Sequence, residues 1–503
     1  MKIHKYTTGF GAFLLCILLF TSCDLFKSVP QEEKVYDEVP GEIRGGKVYN
    51  PETKQDEEVT NIPTKADTID WRTNSPADAP PIRSDKPANN GTGSVETPDN
   101  NNNGNETDPP NTDPTRPTGT GYTVPTTMKS TYEVVMMLPF VTSRFSPVDN
   151  SIYNKSEWAL QYYGGAKIAL EKLRAENINL NINVLDTEGD EQKVKREIET
   201  NPAVAAADVI IGPYRSINVR AVAEYAKSRN IPVVSPYSAS SNITMDNAQL
   251  IQVRPTLQTH IDAITEHALK NHRPEDIVLI VRDKPEETAR LKLFQKAQQN
   301  IVRNDSVASF REFVIDDTGN FDNINIRQYM PANRNTVFII PTWANEVFVN
   351  SILRQIEIAR ASYQKITVYG MPQWMEFANT DYDYYEKLNV FVTSSYFVNK
   401  YTDLARSFRQ TFYNRYGVRA EEAAYLGHDV TLYFGRQIHK GGTQFQQILP
   451  DNPATMMHTE FRFEPIFDTK NAAGSDANAV IERFENRYVH LLKFTDYQWR
   501  KTE

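Results

Sequence analysis

The sequence predicts an α/β fold of two similar lobes in tandem, each a parallel sheet flanked by helices, behind a long unstructured leader. Three observations carry this. From Tyr132 onward, short apolar runs alternate with amphipathic segments, the pattern of βαβ units. After residues 250–253 the alternation starts afresh, as a second sheet would require. Ahead of Tyr132, residues 24–127 are rich in Pro, Asn, Thr, Asp and Gly and have no sustained apolar period.

The elements follow in order. The first strand is expected over 134–140. A helix then opens at Asn154 with Glu157 three places on, a capping-box-like start, and carries Trp158, Tyr162, Ala166, Ala169, Leu170 and Leu173 at helical spacing. Strands are expected over 180–185, 208–211 and 231–234, with a helix over 216–227 between the last two. After 250–253 come a helix with Ile261, Ile264, Ala268 and Leu269, a strand over 277–281, and a helix with Leu291, Phe294, Ala297 and Ile301. Strands over 310–315, 337–340 and 366–369, and a helix with Phe348, Ile352, Ile356 and Ala359, complete the second lobe. The chain then runs through 390–396 into helices over 403–416 and 423–439, and ends with strand-like 461–463 and 488–494.

At the N-terminus, Lys2, His4 and Lys5 precede an apolar run over 10–20, too short to span a bilayer as a helix but suited to a secretory signal. Phe20, Thr21 and Ser22 then lead to Cys23. The small residues before a cysteine are similar to a lipobox, although Phe20 stands where leucine is usual. Residues 1–22 are therefore expected to be cleaved and Cys23 lipidated, anchoring the chain to a bacterial membrane and facing the periplasm. The only other cysteine, Cys16, lies in the signal, so no internal disulfide is expected. Residues 23–130 are expected to form a disordered tether; as a flexible coil, ~100 residues reach on the order of 55 Å. Within it, Thr68, Ile69 and Trp71 are expected to dock as a short strand on the main domain.

The formal charge is −9, and removing Lys2 and Lys5 makes it more negative by two. This argues against nucleic acid as a partner, since phosphate binding needs a basic face. Gly-x-Ser-x-Gly, His-Glu-x-x-His, Gly-x-x-x-x-Gly-Lys and paired metal-binding cysteines are all missing from the sequence, so neither an enzyme nor a bound cofactor or metal is expected. His428 beside Asp429 falls in a helix with core-facing neighbours and reads as structural. The adjacent pairs Glu421–Glu422 and Asp316–Asp317 read as solvated surface.

Several landmarks resemble those of the type I periplasmic solute-binding proteins, the branched-chain amino acid binding class. They are Leu138 and Pro139; Tyr163, Gly164 and Ala166; Ile211, Gly212 and Pro213; 231–236; Arg254 with Pro255; and Gly427, His428 and Asp429. The resemblance spans 131–503 and implies lobe 1 over about 131–256 and 396–450, and lobe 2 over about 257–395 and 451–503. It also implies a ligand in the interlobe cleft, outside the carboxyl ends of the strands. Ser216 starts a helix there, as an anion contact or an ordinary N-cap. Tyr237, Ser238 and Ser240 follow the strand ending at Ser235 and match the family's hydroxyl-rich ligand loop. Thr259, Trp343, Gln373 and Trp374 are the remaining candidates, the last three lining the opposite wall.

Amino-acid-binding relatives place acids after the strand that holds Arg254 and in the Gln373 loop. Here 256–260 contain no acid and Gln373 is not Glu, which argues against a conventional free amino acid as ligand, because a buried ammonium without a carboxylate partner is costly. The resemblance implies a non-catalytic module that closes on a small polar ligand and serves an ABC permease. An interaction protein of the same fold, acting on a peptidoglycan synthase, is the alternative.

Overall fold

The computed structural model describes residues 124–502, except 147–151, 245, 305–306, 318, 320, 322–323, 332–333, 362–363 and 468–479, together with the backbone of three short strands before residue 70. The chain divides into two units, Met1–Pro63 and Thr64–Glu503. In the first, Lys47–Asn50 pairs antiparallel with Gln55–Glu58. The signal segment and Cys23 lie outside the described residues.

In the second unit the chain builds the first sheet from β1 (Asp67–Thr68), β2 (Tyr132–Leu138), β3 (Leu180–Asp186), β4 (Val209–Ile211), β5 (Val233–Ser235) and β6 (Leu250–Gln252). The helices between them are α1 (Glu157–Ala175), α2 (Glu191–Thr200) and α3 (Ser216–Lys227). It crosses over and continues with α4 (Leu257–Asn271), β7 (Ile277–Arg282), α5 (Pro285–Val302), β8 (Arg311–Ile315), β9 (Thr336–Ile339), α6 (Glu346–Ala359), β10 (Ile366–Gly370) and β11 (Val390–Ser394). It returns through α7 (Asp403–Tyr416) and α8 (Glu422–Gly441) to β12 (Phe463–Phe467) and β13 (Ile481–Asn486), then crosses again to β14 (His490–Thr495) and β15 (Gln498–Lys501).

The sheet orders are β12-β13-β6-β5-β4-β2-β3-β1 and β8-β7-β9-β10-β11-β14-β15. The two α/β lobes are thus as expected, with parallel centres, but each sheet carries antiparallel strands at its edges: β1 and β12 in the first, β14 and β15 in the second. The short strand expected near Thr68 is β1, docked on β3. The expected lobe boundary needs correction, because β12 and β13 belong to the first sheet and only β14 and β15 to the second. Partner choice decides this: β13 takes β6 as its parallel neighbour, a pairing of residues far apart in sequence.

Burial explains the strand sequences. In β2, Val134, Met136 and Leu138 face a core covered by α1 and α8, while Val135 and Met137 face the core under α2 and α3. Such two-sided burial produces a continuous apolar run. The helices α1 and α8 pack backbone to backbone: a Cβ on Gly165 would lie 1.8 Å from the Ala424 carbonyl oxygen, and one on Gly427 2.0 Å from that of Tyr162. The expected capping box is not formed; Asn154–Ser156 is a 3-10 turn, and α1 begins after it with no side-chain cap bond. Helix α2 was not expected, because within it only Val194 and Ile198 are buried hydrophobics in a charged run.

The last part of the leader is held down. Thr126 Oγ1 donates to the Gly441 carbonyl, Thr127 and Thr443 exchange two hydrogen bonds, and Gln447 Nε2 donates to the Val124 carbonyl. The strap therefore closes on the far end of α8 and the turn after it. The expectation of a tether over 23–130 is corrected at its end, because residues 124–127 are bonded to the domain.

Candidate functional site

The carboxyl ends of β4, β5 and β6 deliver three loops to the interlobe face. The first turns at Gly212, whose φ is +102° and whose Cβ would lie 2.2 Å from the Met137 carbonyl oxygen, so only glycine fits. This turn presents Tyr214. The second loop presents Tyr237, and the third Arg254.

These side chains form a ladder with the first turn of α1. Trp158 meets Tyr214 edge-on at 4.5 Å between ring centroids, Tyr214 stacks on Tyr237 at 4.1 Å, and the Arg254 guanidinium lies 4.4 Å from the Tyr237 centroid. Tyr396, just after β11, lies on another side of Arg254 at 5.9 Å. Arg254 donates to Glu422, the first residue of α8, at 2.8 Å, and His458 Nε2 shares the same carboxylate oxygen at 2.7 Å. Tyr396 stacks on His458 with rings 13° from parallel.

Electrostatics follow from this packing. Burial pushes the Glu422 carboxyl up, but Arg254 and His458 beside it outweigh burial and bring its pKa down to about 2. Burial, then Tyr237, raises the Tyr214 phenol. The Arg254 Nε–H and the Trp158 indole N–H are buried with no hydrogen-bond partner among the described residues. Unpaired buried donors of this kind are uncommon in folded proteins.

Of the expected site residues, Ser216, Tyr237, Ser238 and Ser240 come together here. Ser216 opens α3, yet the N-cap is Arg215; the Ser216 hydroxyl instead pairs with Ser238 Oγ at 2.7 Å. Gln252 Nε2 donates to the carbonyls of Ser238 and Ser240 and fixes the loop. Gln373, in the second lobe, has a buried Oε1 with no partner among the described residues. Trp343 is partly buried against the second-lobe core, with the Arg290 guanidinium 5.9 Å from its ring.

Two expected residues are engaged elsewhere. Trp374, expected to line the cleft, is 1% exposed, packs on Gly370 in the second-lobe core and donates to the Thr342 carbonyl at 2.9 Å. Thr259 donates to the buried Glu485 at 2.7 Å and accepts from Arg487, within a knot that ties the first crossover to the third. Glu485 also accepts from the Thr256 amide and hydroxyl and pairs with Arg483.

Arg254, Glu422, Tyr214, Tyr396 and Trp158 were not among the expected site residues. Glu422 read as surface, and the structure corrects this: it is the counter-ion of Arg254. Asp316 and Asp317 are exposed, as read, with Lys284 2.9 Å from Asp317. Of these, only Arg254 carried a sequence signal, its place beside Pro255 after an apolar run. His428 and Asp429 are structural as read: Asp429 is fully buried, accepts from the His428 ring at 2.8 Å and holds the His458 amide. Among the described residues, no group of three or more His, Cys, Asp or Glu is placed to hold a metal, and no helix is long and apolar enough to cross a membrane.

Comparison with known proteins agrees with this architecture. The family model described as periplasmic binding protein matches residues 155–448. A solved structure of a putative branched-chain amino acid ABC transporter from Rhodospirillum rubrum superposes with a TM-score of 0.53 at 14% identity, covering 73% of this chain and 99% of that one. A branched chain amino acid ABC transporter periplasmic ligand-binding protein from Burkholderia xenovorans gives 0.50 at 11% identity, covering 75% of this chain and 95% of that one. No curated protein matches the chain in sequence. The chain belongs to the periplasmic binding protein family, with the type I two-lobed fold.

Proposed function

We propose that this protein is a lipid-anchored receptor of the cell envelope that closes its two lobes on a small polar solute and passes it to an ABC permease. The observation that carries the reading is the interlobe face itself. One wall gathers Arg254, its counter-ion Glu422, three tyrosines and a tryptophan, and leaves two buried donors unpaired. Burial without hydrogen bonding costs roughly 1–3 kcal/mol per group, so a solute that supplies acceptors would recover that cost on closure. Ser216, Ser238, Ser240 and Gln373 are proposed to add hydroxyl and amide contacts, and Trp343 an apolar edge. Membership of the family and the branched-chain amino acid labels of the superposed structures support a solute of amino-acid size.

Native mass spectrometry of the mature chain tests this. A small molecule retained under gentle conditions and lost on activation is expected; a bare chain whose melting temperature no metabolite shifts would sink the reading. Anchoring is proposed through Cys23. Cys23→Ser should leave a folded protein that moves from the membrane to the soluble fraction; a variant that stays with the membrane contradicts it.

A second reading, an interaction protein acting on a peptidoglycan synthase, has one observation in its favour. The rings of Tyr214 and Tyr237 are already stacked on each other, met edge-on by Trp158 and, at Tyr237, covered by Arg254, so the wall is largely filled by its own side chains. The bare-chain outcome above would favour it.

A further inference from the structure

The surroundings of Arg254 have the composition of a site for an organic cation. Such sites join aromatic faces to a carboxylate, because the ring quadrupole and the anion both attract positive charge in a place shielded from water. Here Tyr237 and Tyr396 supply the rings, at 4.4 and 5.9 Å from the guanidinium carbon, and Glu422 supplies the carboxylate at 2.8 Å. The cation, however, comes from the chain.

We propose that Arg254 is the built-in occupant of an organic-cation subsite, and that it makes the cleft reject alkylammonium and guanidinium solutes, free amino acids included, at this wall. The inference rests on the reading of the interlobe face as a solute site. Its physical basis is simple exclusion. A ligand ammonium here would meet a positive charge on the ring faces of Tyr237 and Tyr396, and it would have to displace a guanidinium that already pairs with the carboxylate. What the wall still offers is donors, the Arg254 Nε–H and the Trp158 indole N–H, which suit carboxylate or carbonyl oxygens. The acid-free stretch after Arg254 and the glutamine at 373 fit the same selection: Glu422, the carboxylate of this wall, is already taken by Arg254.

The test uses the full mature chain and two probes, ethylguanidinium and tetramethylammonium, with ethylurea as the neutral control, in isothermal titration at fixed ionic strength. The wild type should show no saturable binding of either cation. Arg254→Ala should bind both, about tenfold or more tighter than ethylurea, the scale of a desolvated cation–π contact. Adding Glu422→Gln to Arg254→Ala should remove most of that gain. Arg254→Gln keeps a donor for Glu422 and guards against a folding defect; it should gain cation binding in the same direction. Equal binding by wild type and variants, or no preference for cation over ethylurea in either folded variant, overturns the proposal. So does a primary amine released from the purified wild type. The two readings fail separately: native mass spectrometry asks whether a solute is carried, whereas the titration asks what fills the Tyr237 face.

Discussion

Each lobe places an arginine at or just past the carboxyl end of a strand, and the two are used differently. Arg282, the last residue of β7, is 9% exposed and is gripped by Glu287, which accepts at 2.5 Å from the guanidinium and at 2.8 Å from the Arg282 amide. Thr342 donates to the same carboxylate and passes its own carbonyl to Trp374, so the second-lobe wall is closed into its core. Arg254, after β6, is 20% exposed, holds its carboxylate through one nitrogen and leaves Nε free. The same pair of residue types is saturated within the core in one lobe and, in the other, keeps a buried donor without a partner among the described residues. What separates them is saturation of donors, not sequence identity.

This contrast breaks if the two pairs cost the same to disrupt. Glu287→Ala strands a buried guanidinium and should lower stability by about 3–5 kcal/mol in chemical denaturation. Trp374→Ala empties the core beside Gly370 and should cost a similar or slightly smaller amount, about 3–5 kcal/mol, with little effect on solute binding. Glu422→Gln should cost less than Glu287→Ala, because the first-lobe pair is more exposed, and should register mainly in binding. If Glu422→Gln proves the more damaging to stability, the first-lobe pair is structural glue as well.

Acid sharpens the comparison. Burial, more than any other influence, holds His260 and His490 near pKa 4, below the ordinary 6.5. A depressed histidine favours its neutral form in the fold, so the unfolded chain binds the extra proton. Stability is then full above about pH 6.5 and falls as the pH drops toward 4, by on the order of 3 kcal/mol for each group. Glu422 adds a later loss, from its ordinary 4.5 down toward 2. A melting-temperature profile flat from pH 7 to pH 4 would contradict these placements. The smallest effect belongs to Ser216→Ala, which removes one hydrogen bond to Ser238 and should cost about 1 kcal/mol, read by thermal melting.

Much of the architecture was legible because burial writes itself into the chain: the central strands β2, β4, β5, β6, β7 and β9 are buried on both faces and read as apolar runs, whereas β3 and the edge strand β8 are buried in part. The parts that were not legible carry charge inside. β13 reads Ile-Glu-Arg-Phe-Glu-Asn, and its Arg483 and Glu485 are buried only because they pair with each other and with Thr256 across the crossover. No local pattern reveals such a partner, and the lobe boundary went astray with it. The site divides the same way. Ser216, Tyr237 and Ser238 follow strand ends and were placed by topology and by the family resemblance of their loop, whereas Arg254 and Glu422 meet across 168 residues of chain. Side by side with Glu421, Glu422 looks like surface until the fold supplies its cation.

The strap at Val124–Thr127 determines how the molecule carries load. Helix α8 runs from Glu422, beside Arg254, to Gly441, beside Thr126, a distance of about 30 Å for its length. Tension from the N-terminal side meets β1 at the edge of the first sheet, and once that pairing yields it passes to the hydrogen bonds at Gly441, Thr443 and Gln447, at the end of α8 opposite Arg254, and then to β2 in the middle of the sheet. The wall lies outside that line of force. Pulled by its leader, the molecule would keep the geometry of Arg254 and Tyr237 while β1 and then the strap yield.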